Sequence, residues 1–484
     1  MLLRLSQNSY IRNYGPYTYV TNRLKDFDQV YLNGDVFLCA ISRTPCEEAK
    51  ILDDICVHYP ETDCAIIRKD FNEFIKPLLE DGVLVAGATE EEIDSIDETF
   101  SYNVENPKTI NRFSKKDNDS DEVLPQKILD EYFLEHPTIF SLQVNITQAC
   151  TERCIHCYVP DHDPIFLPYT SIKNMIDQFS AQQGLMLSIS GGECMLHPDF
   201  ERIVRYAHEH DLIVSVLSNL TCCTDSIVKL LQQNHVSVQV SLYSMNPKTH
   251  DYITRLDGSF EKTKTAIEKL YHANVPCQIS CPTMKQNYKD YLDVLDFAHS
   301  LKMDAITDFI IMGKMNCDTS NLSCRLNLEE TRVILEDIVF RSVPFNSEYF
   351  SPAKKELMLS DEEWCKRKVC GACVDSLCLD ANGDFYPCPA WGVKLGNCHD
   401  HDLRYVWQES PETLRIRGIT GNEFPTCAHC KERNYCSVCM CRNFNETGDM
   451  FTPAEHFCKV AAINHEVVDE KQRQMIEAAK RGSN

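Results

Sequence analysis

Short apolar runs separated by amphipathic stretches dominate the middle of this chain. The runs fall at 139–146, 186–190, 213–217, 236–242, 277–281 and 305–311. Between them, 171–179, 200–208, 260–271 and 288–301 carry apolar residues at helical spacing. Strand-sized runs alternating with helices predict a parallel sheet of right-handed βα units. Six units fit a partial (β/α)6 barrel, an α/β fold whose functional loops follow the C-terminal ends of the strands.

Residues 1–88 read as a separate α+β unit. Strands at 17–20 and 29–33 precede helical patterns at 34–43, 46–59 and 64–79, and a strand at 83–86 follows the Asp81-Gly82 turn. Ile66, Phe71, Phe74, Ile75, Leu78 and Leu79 recur at helical spacing, which makes them core. Hairpin, three helices and strand make a small winged-helix arrangement. Residues 89–135 are rich in Glu, Asp, Asn and Ser, with a charged centre at 115–122. This predicts a solvated, partly disordered linker that lets the first block move. The barrel then occupies 136–315, a bridging region 316–362 and a cysteine-rich block 363–484.

The chain has 484 residues, enough for about three domains. A net charge of -24 argues against a nucleic-acid or anionic-membrane surface and suits a basic peptide partner. The first residues lack an apolar signal-peptide region, and no apolar run approaches a membrane span. The expected setting is a reducing cytoplasm, where most of the 26 cysteines would bind metal or stay free rather than pair. Cys39, Cys46, Cys56 and Cys64 lack ligand spacing and read as buried free thiols.

Chemistry concentrates after the first barrel strand. Cys150, Cys154 and Cys157 stand in a C-x3-C-x2-C spacing followed by Tyr158. Three thiolates in one loop suit three irons of a [4Fe-4S] cube and leave the fourth iron open. A structural zinc loop is the competing reading. Ser190-Gly191-Gly192-Glu193 follows the second strand, where glycines permit close backbone approach and a carboxylate can meet an ammonium group. Ser218-Asn219 ends the third strand, and Ser241 and Ser244 lie at the end of the fourth. His250 and Arg255 occupy the next loop.

The triplet with its aromatic, joined to Gly-Gly-Glu at the second strand, resembles the signature of the radical S-adenosylmethionine (SAM) enzymes. The resemblance implies that Gly-Gly-Glu holds the methionyl amine of SAM. It implies that Tyr158, Ser190, Ser218, Asn219, Ser241, Ser244 and Arg255 belong to the same cofactor site. One electron would cleave SAM to methionine and a 5′-deoxyadenosyl radical, which takes an unactivated hydrogen from the substrate. A flavodoxin or ferredoxin would supply the electron.

Further on, Cys370-x12-Gly383-x4-Cys388 precedes Cys427-x2-Cys430-x5-Cys436, then Cys439, Cys441 and Cys458. This is similar to the SPASM extension, which carries auxiliary [4Fe-4S] clusters. The family's fourth central cysteine would fall at Met440, so Cys439 and Cys441 are both candidates, as is Cys373 for the first position. The resemblance implies one cluster on Cys427, Cys430, Cys436 and Cys458. The other would take Cys370, Cys388, one of Cys439 or Cys441, and Cys373 as a further candidate. Zinc on Cys427, Cys430, Cys436 and Cys439 is the competing reading.

The first block is similar to the PqqD-like element that binds the leader of a precursor peptide as an added strand. A DNA-binding winged helix is the alternative, but Asp70, Glu73 and Glu80 surround Arg68 and Lys69. Together these resemblances imply a maturase of ribosomally made peptides, with a thioether crosslink as the foremost product. Alternatives are a carbon–carbon crosslink, a formylglycine-forming sulfatase maturase (whose Asp is Pro389 here), and a non-catalytic iron–sulfur scaffold.

Overall fold

The computed structural model describes residues 1–25, 27–97, 125–341 and 359–482. The charged centre at 115–122 and residues 342–358 of the bridging region lie outside the described residues. Six strands precede the barrel: β1 (Leu2–Leu5), β2 (Ser9–Tyr14), β3 (Tyr17–Asn22), β4 (Phe27–Leu32), β5 (Cys46–Glu47) and β6 (Leu84–Gly87). β2, β3 and β4 form an antiparallel meander, while β1 lies between β5 and β6 in a second sheet. The hairpin expected from sequence is thus a three-stranded meander. The helices Glu48–His58 and Cys64–Glu80 bury Leu52, Phe71, Ile75 and Leu78 against Leu3, Val20 and Leu84.

Four expectations need correction here. Cys39 and Cys64 are exposed, and Cys46 and Cys56 are half-buried rather than buried. The helix foreseen at 34–43 is limited to Asp35–Leu38. The Ser42 carbonyl accepts from the Leu5 amide at 2.8 Å, and the Arg43 guanidinium reaches the Ser6 and Ser9 carbonyls at 2.8 and 2.6 Å. These tertiary bonds hold the segment out of the helix. Ile66 stands 54% exposed, because Ile67 takes the inward position at the helix start. The acidic connector begins and ends in helices, Glu90–Ile96 and Pro125–Glu135. The first is tied to β1 through Arg4, which pairs with Asp94 and Asp97 at 3.0 and 2.7 Å. The second packs Leu129 and Phe133 against Tyr14 and Tyr19 of the meander.

The block is also anchored to the barrel. Buried Arg12 donates to the Gly184 carbonyl at 3.0 Å and pairs with Asp211 at 3.2 Å. Arg43 donates to the same carboxylate at 2.7 Å. Gly184 and Asp211 precede the second and third barrel strands, so the contact lies at the N-terminal end of the barrel.

The barrel strands are β7 (Ser141–Asn145), β8 (Met186–Ser190), β9 (Ile213–Ser218), β10 (Ser237–Ser241), β11 (Cys277–Pro282) and β12 (Asp304–Asp308). All five neighbouring pairs are parallel. Leu142, Val144, Leu187, Ile189, Val214, Val216, Val238 and Val240 alternate into a core covered by the intervening helices. The C-terminal block extends this sheet. β13 (Ser376–Leu379) runs parallel to β7, and β14 (Asp384–Tyr386) and β15 (Gly396–Asn397) continue antiparallel. Gly383 makes the β13–β14 turn at φ 81°, and a Cβ there would stand 2.8 Å from Cys398 Sγ. Leu377, Leu379, Phe385 and Trp391 join the barrel core, so the cysteine block is built onto the barrel mouth. Among the described residues, no helix is long and apolar enough to cross a membrane.

Candidate active site and its cysteine clusters

A cavity of about 420 Å3 opens at the C-terminal ends of the barrel strands. Cys150, Cys154, Cys157 and Tyr158 line one side. Ser190, Gly191 and Gly192 after β8, Ser218 and Asn219 after β9, and Ser241 at the end of β10 line the other. The cysteine loop is held by its own neighbours. The Cys154 thiol donates to Glu152 at 3.2 Å, and Tyr243 Oη lies 3.9 Å from the same sulfur. Asn219 Nδ2 approaches Cys150 Sγ at 3.8 Å. Burial pushes the Cys150 thiol up to about 12 and raises those of Cys154 and Cys157. Loading such thiols with iron releases protons, and the attraction of thiolate for metal opposes that cost.

Gly191 and Gly192 are a cradle that a side chain would fill. Gly191 adopts φ 146°, and a Cβ there would meet the Thr147 carbonyl at 2.3 Å. A Cβ at Gly192 would stand 2.4 Å from the Ala149 carbonyl. The pair therefore packs its backbone directly on the start of the cysteine loop, and the Gly192 amide donates to the Thr147 carbonyl at 2.9 Å.

Glu193 is fully buried and does not line the cavity. Its carboxylate accepts from the Met195 amide at 3.0 Å, Ser218 Oγ at 2.8 and 2.9 Å and the Asn219 amide at 2.9 Å. Burial raises its pKa, and these donors oppose that rise. Glu193 thus locks the end of β9 to the end of β8. Two further expected cofactor residues lie elsewhere. Ser244 is buried and accepts from the Asn246 amide at 3.0 Å, capping a turn. Arg255 lines a neighbouring cavity on the outer side of the cysteine loop. His250 is buried against Ser259 Oγ at 3.1 Å, a structural contact.

Sequence reading missed several cavity residues. Glu152 lines it, with burial pushing its carboxyl up to about 7. Gln239, Tyr243, Ser280, Asp308 and Met312 line the remaining wall. Their one sequence signal is position at or just beyond the ends of β10, β11 and β12.

The C-terminal cysteines gather in two groups. Cys441 lies within hydrogen-bonding reach of Cys388 and Cys439, an arrangement that lowers the Cys388 and Cys439 thiols and raises that of Cys441. Cys370 feels the charges of Cys388 and Cys439 beyond its burial, and buried Cys373 feels Cys370 and Cys388. Cys427, Cys430, Cys436 and Cys458 interact in a second group. Among the described residues, no three His, Cys, Asp or Glu side chains converge tightly enough to hold a single ion. Each group supplies cysteine thiolates of the kind that hold a four-iron cube.

Residues 144–315 match the radical SAM superfamily and residues 370–431 match the SPASM iron–sulfur cluster-binding domain. The chain carries a radical SAM domain followed by a SPASM iron–sulfur cluster-binding domain, the architecture of a radical SAM enzyme that uses SAM and iron–sulfur clusters. It is 25% identical over 333 residues to the AdoMet-dependent heme synthase of Methanosarcina barkeri, covering 65% of this chain and 94% of the relative. It is 26% identical over 323 residues to the antilisterial bacteriocin subtilosin biosynthesis protein AlbA of Bacillus subtilis, covering 64% and 69%. The crystal structure of Streptococcus suis SuiB bound to precursor peptide SuiA superposes with a TM-score of 0.58 at 16% identity, covering 94% of this chain and all of that one.

Proposed function

We propose that this enzyme oxidatively modifies a ribosomally made precursor peptide and joins a cysteine sulfur to a carbon of another residue. One observation carries the reading. Cys441 Sγ lies 3.8 Å from Met312 Sδ, and Met312 lines the cavity of the cysteine triplet. An auxiliary thiol group therefore adjoins the reaction chamber. Forming a thioether removes two electrons from the peptide, and one of them needs an acceptor beside the substrate. SuiB, a precursor-peptide binder, aligns over 94% of this chain.

In this reading Cys150, Cys154 and Cys157 hold the SAM-binding cluster. Cys427, Cys430, Cys436 and Cys458 hold the distant auxiliary cluster. Cys370, Cys388 and one of Cys439 or Cys441 hold the nearer one, with Cys373 as the further candidate. With SAM, the first cluster supplies hydrogen abstraction from an unactivated carbon. The protein's own work is positioning. The Gly191-Gly192 backbone seats the methionyl end, Asn219 and Ser241 contact the remainder, and the apolar wall at Met312 excludes water. Residues 1–88 hold the leader, with β4 as the more exposed of the meander's two edge strands among the described residues.

The test replaces every core cysteine of the precursor encoded nearby with serine. A thioether enzyme then loses its product under anaerobic turnover. Retention of a two-hydrogen mass loss would mean a carbon–carbon bond instead, and a change in a tetrapyrrole but not in the peptide would favour the heme-type reading.

A further inference from the structure

β12 ends in the reaction chamber. Alternate side chains of a strand share a face, so Ile306 and Asp308 both line the cavity, followed by Ile310, Ile311 and Met312 of the next loop. Asp308 is thus a carboxylate set in an otherwise apolar stretch of wall. Its backbone is fixed, since its carbonyl accepts from the Thr283 amide at 2.6 Å and from Thr283 Oγ1 at 3.2 Å. Its carboxylate accepts from the Ile310 amide at 2.8 Å and, among the described residues, has no ion-pair partner. Burial raises the carboxyl above its ordinary range, and the Ile310 amide and the charge of Arg442 oppose the rise. A carboxylate oriented in a cleft without a charged partner suits acid–base work. The chamber's other carboxylate, Glu152, is engaged by the Cys154 thiol at 3.2 Å. The loop that starts at Asp308 also reaches the C-terminal cysteines, where Met312 Sδ lies 3.8 Å from Cys441 Sγ. Asp308 and the auxiliary thiols therefore share one side of the chamber.

We infer that Asp308 takes the proton of the core cysteine as its sulfur bonds to carbon. A crosslink that loses two hydrogens gives up one as an atom, in the abstraction from carbon. The other leaves sulfur as a proton, and an apolar chamber must supply the base. In that transfer the S–H bond breaks and an O–H bond forms on Asp308. The sulfur gains the negative charge that the carboxylate loses, and no electron changes hands. The inference deepens the proposed function and rests on its sulfur–carbon bond.

The test uses the loaded full-length enzyme with SAM, dithionite and the precursor encoded beside its gene. It reads crosslinked peptide, 5′-deoxyadenosine, precursor Kd and iron. Asp308→Asn should lower the ratio of crosslink to 5′-deoxyadenosine about a hundredfold or more. Precursor Kd and iron content should stay unchanged. A precursor with selenocysteine at the crosslinking position, whose selenol ionises unaided, should restore the ratio in Asp308→Asn, which a purely structural role would not allow. An unaltered ratio overturns the inference, and so does no recovery with selenocysteine. An equal fall of crosslink and 5′-deoxyadenosine also overturns it and would move Asp308 to the cofactor, whereas a matching loss of precursor affinity would make it a binding residue. If Asp308→Asn loses iron, Asp308→Glu decides: a displaced carboxylate should lower the ratio, and an unchanged ratio overturns the inference. A wild-type crosslink that survives replacement of every core cysteine removes the thioether reading and this inference together. A wild-type thioether with an indifferent Asp308→Asn removes the inference alone.

Discussion

At the residue scale, chemistry and scaffolding are easily confused in sequence. Gly191-Gly192-Glu193 was legible as a motif, but the carboxylate points inward to four hydrogen bonds while the two glycine backbones face the cavity. A sequence shows that a glycine is present, not which atoms would crowd its missing Cβ. Gly192→Ala would press a methyl into the Ala149 and Gln148 carbonyls. Overpacking of that kind costs about 1–3 kcal/mol, and SAM affinity should fall at least about tenfold, read by equilibrium binding. His250 gives a pH prediction. Burial takes it from its ordinary 6.5 down to about 4. Between those values the unfolded chain holds the extra proton, so stability is full above about pH 6.5 and declines as pH falls towards 4. The urea midpoint should therefore drop between pH 7 and 5.5, and drop less in His250→Gln. An equal drop would remove His250 from the account.

At the scale of elements, local pattern found what local pattern controls. The run 186–190 is β8, and the other barrel strands fall within two or three residues of expectation at each end. Their apolar alternation and flanking helices are contiguous in sequence. β1 escaped notice because its partner β6 lies some eighty residues away, and a four-residue strand has too little periodicity to stand out. β13 was hidden for the same reason: its cysteines drew attention to ligands, while its pairing with β7 spans the whole barrel. The meander offers a test of the leader site. Leu32 at the end of β4 is 67% exposed and Ile66 of the helix Cys64–Glu80 is 54% exposed. Between these elements, Tyr31 packs edge-on to Phe74 at 5.3 Å. Leu32→Lys with Ile66→Lys should weaken leader binding by about tenfold in fluorescence anisotropy. Cleavage of SAM without peptide should stay unchanged. Unaltered affinity would place the leader elsewhere.

At the scale of the whole molecule, the first block is fixed to the N-terminal end of the barrel by Arg12, while the cysteine loop lies at the opposite end and the C-terminal block pairs along β7. Under the proposed function, a precursor held by the first block would have to reach from one end of the barrel to the other. The expectation of a freely moving first block came from composition, which cannot register a buried arginine meeting a carboxylate 199 residues away. The cysteine arrangement predicts about twelve irons per chain after anaerobic reconstitution, three cubes of four. Alanine at Cys150, Cys154 and Cys157 together should leave about eight and abolish 5′-deoxyadenosine, whereas persistent 5′-deoxyadenosine would remove the triplet from the cofactor site. The central claim is that the radical site acts on a peptide, and mass spectrometry of that peptide tests it most directly. The loaded enzyme is incubated anaerobically with SAM, dithionite and the precursor encoded beside its gene. The account predicts a loss of two hydrogens per modification, with 5′-deoxyadenosine formed and the new bond located at a cysteine by fragmentation. An unchanged peptide alongside 5′-deoxyadenosine would contradict it.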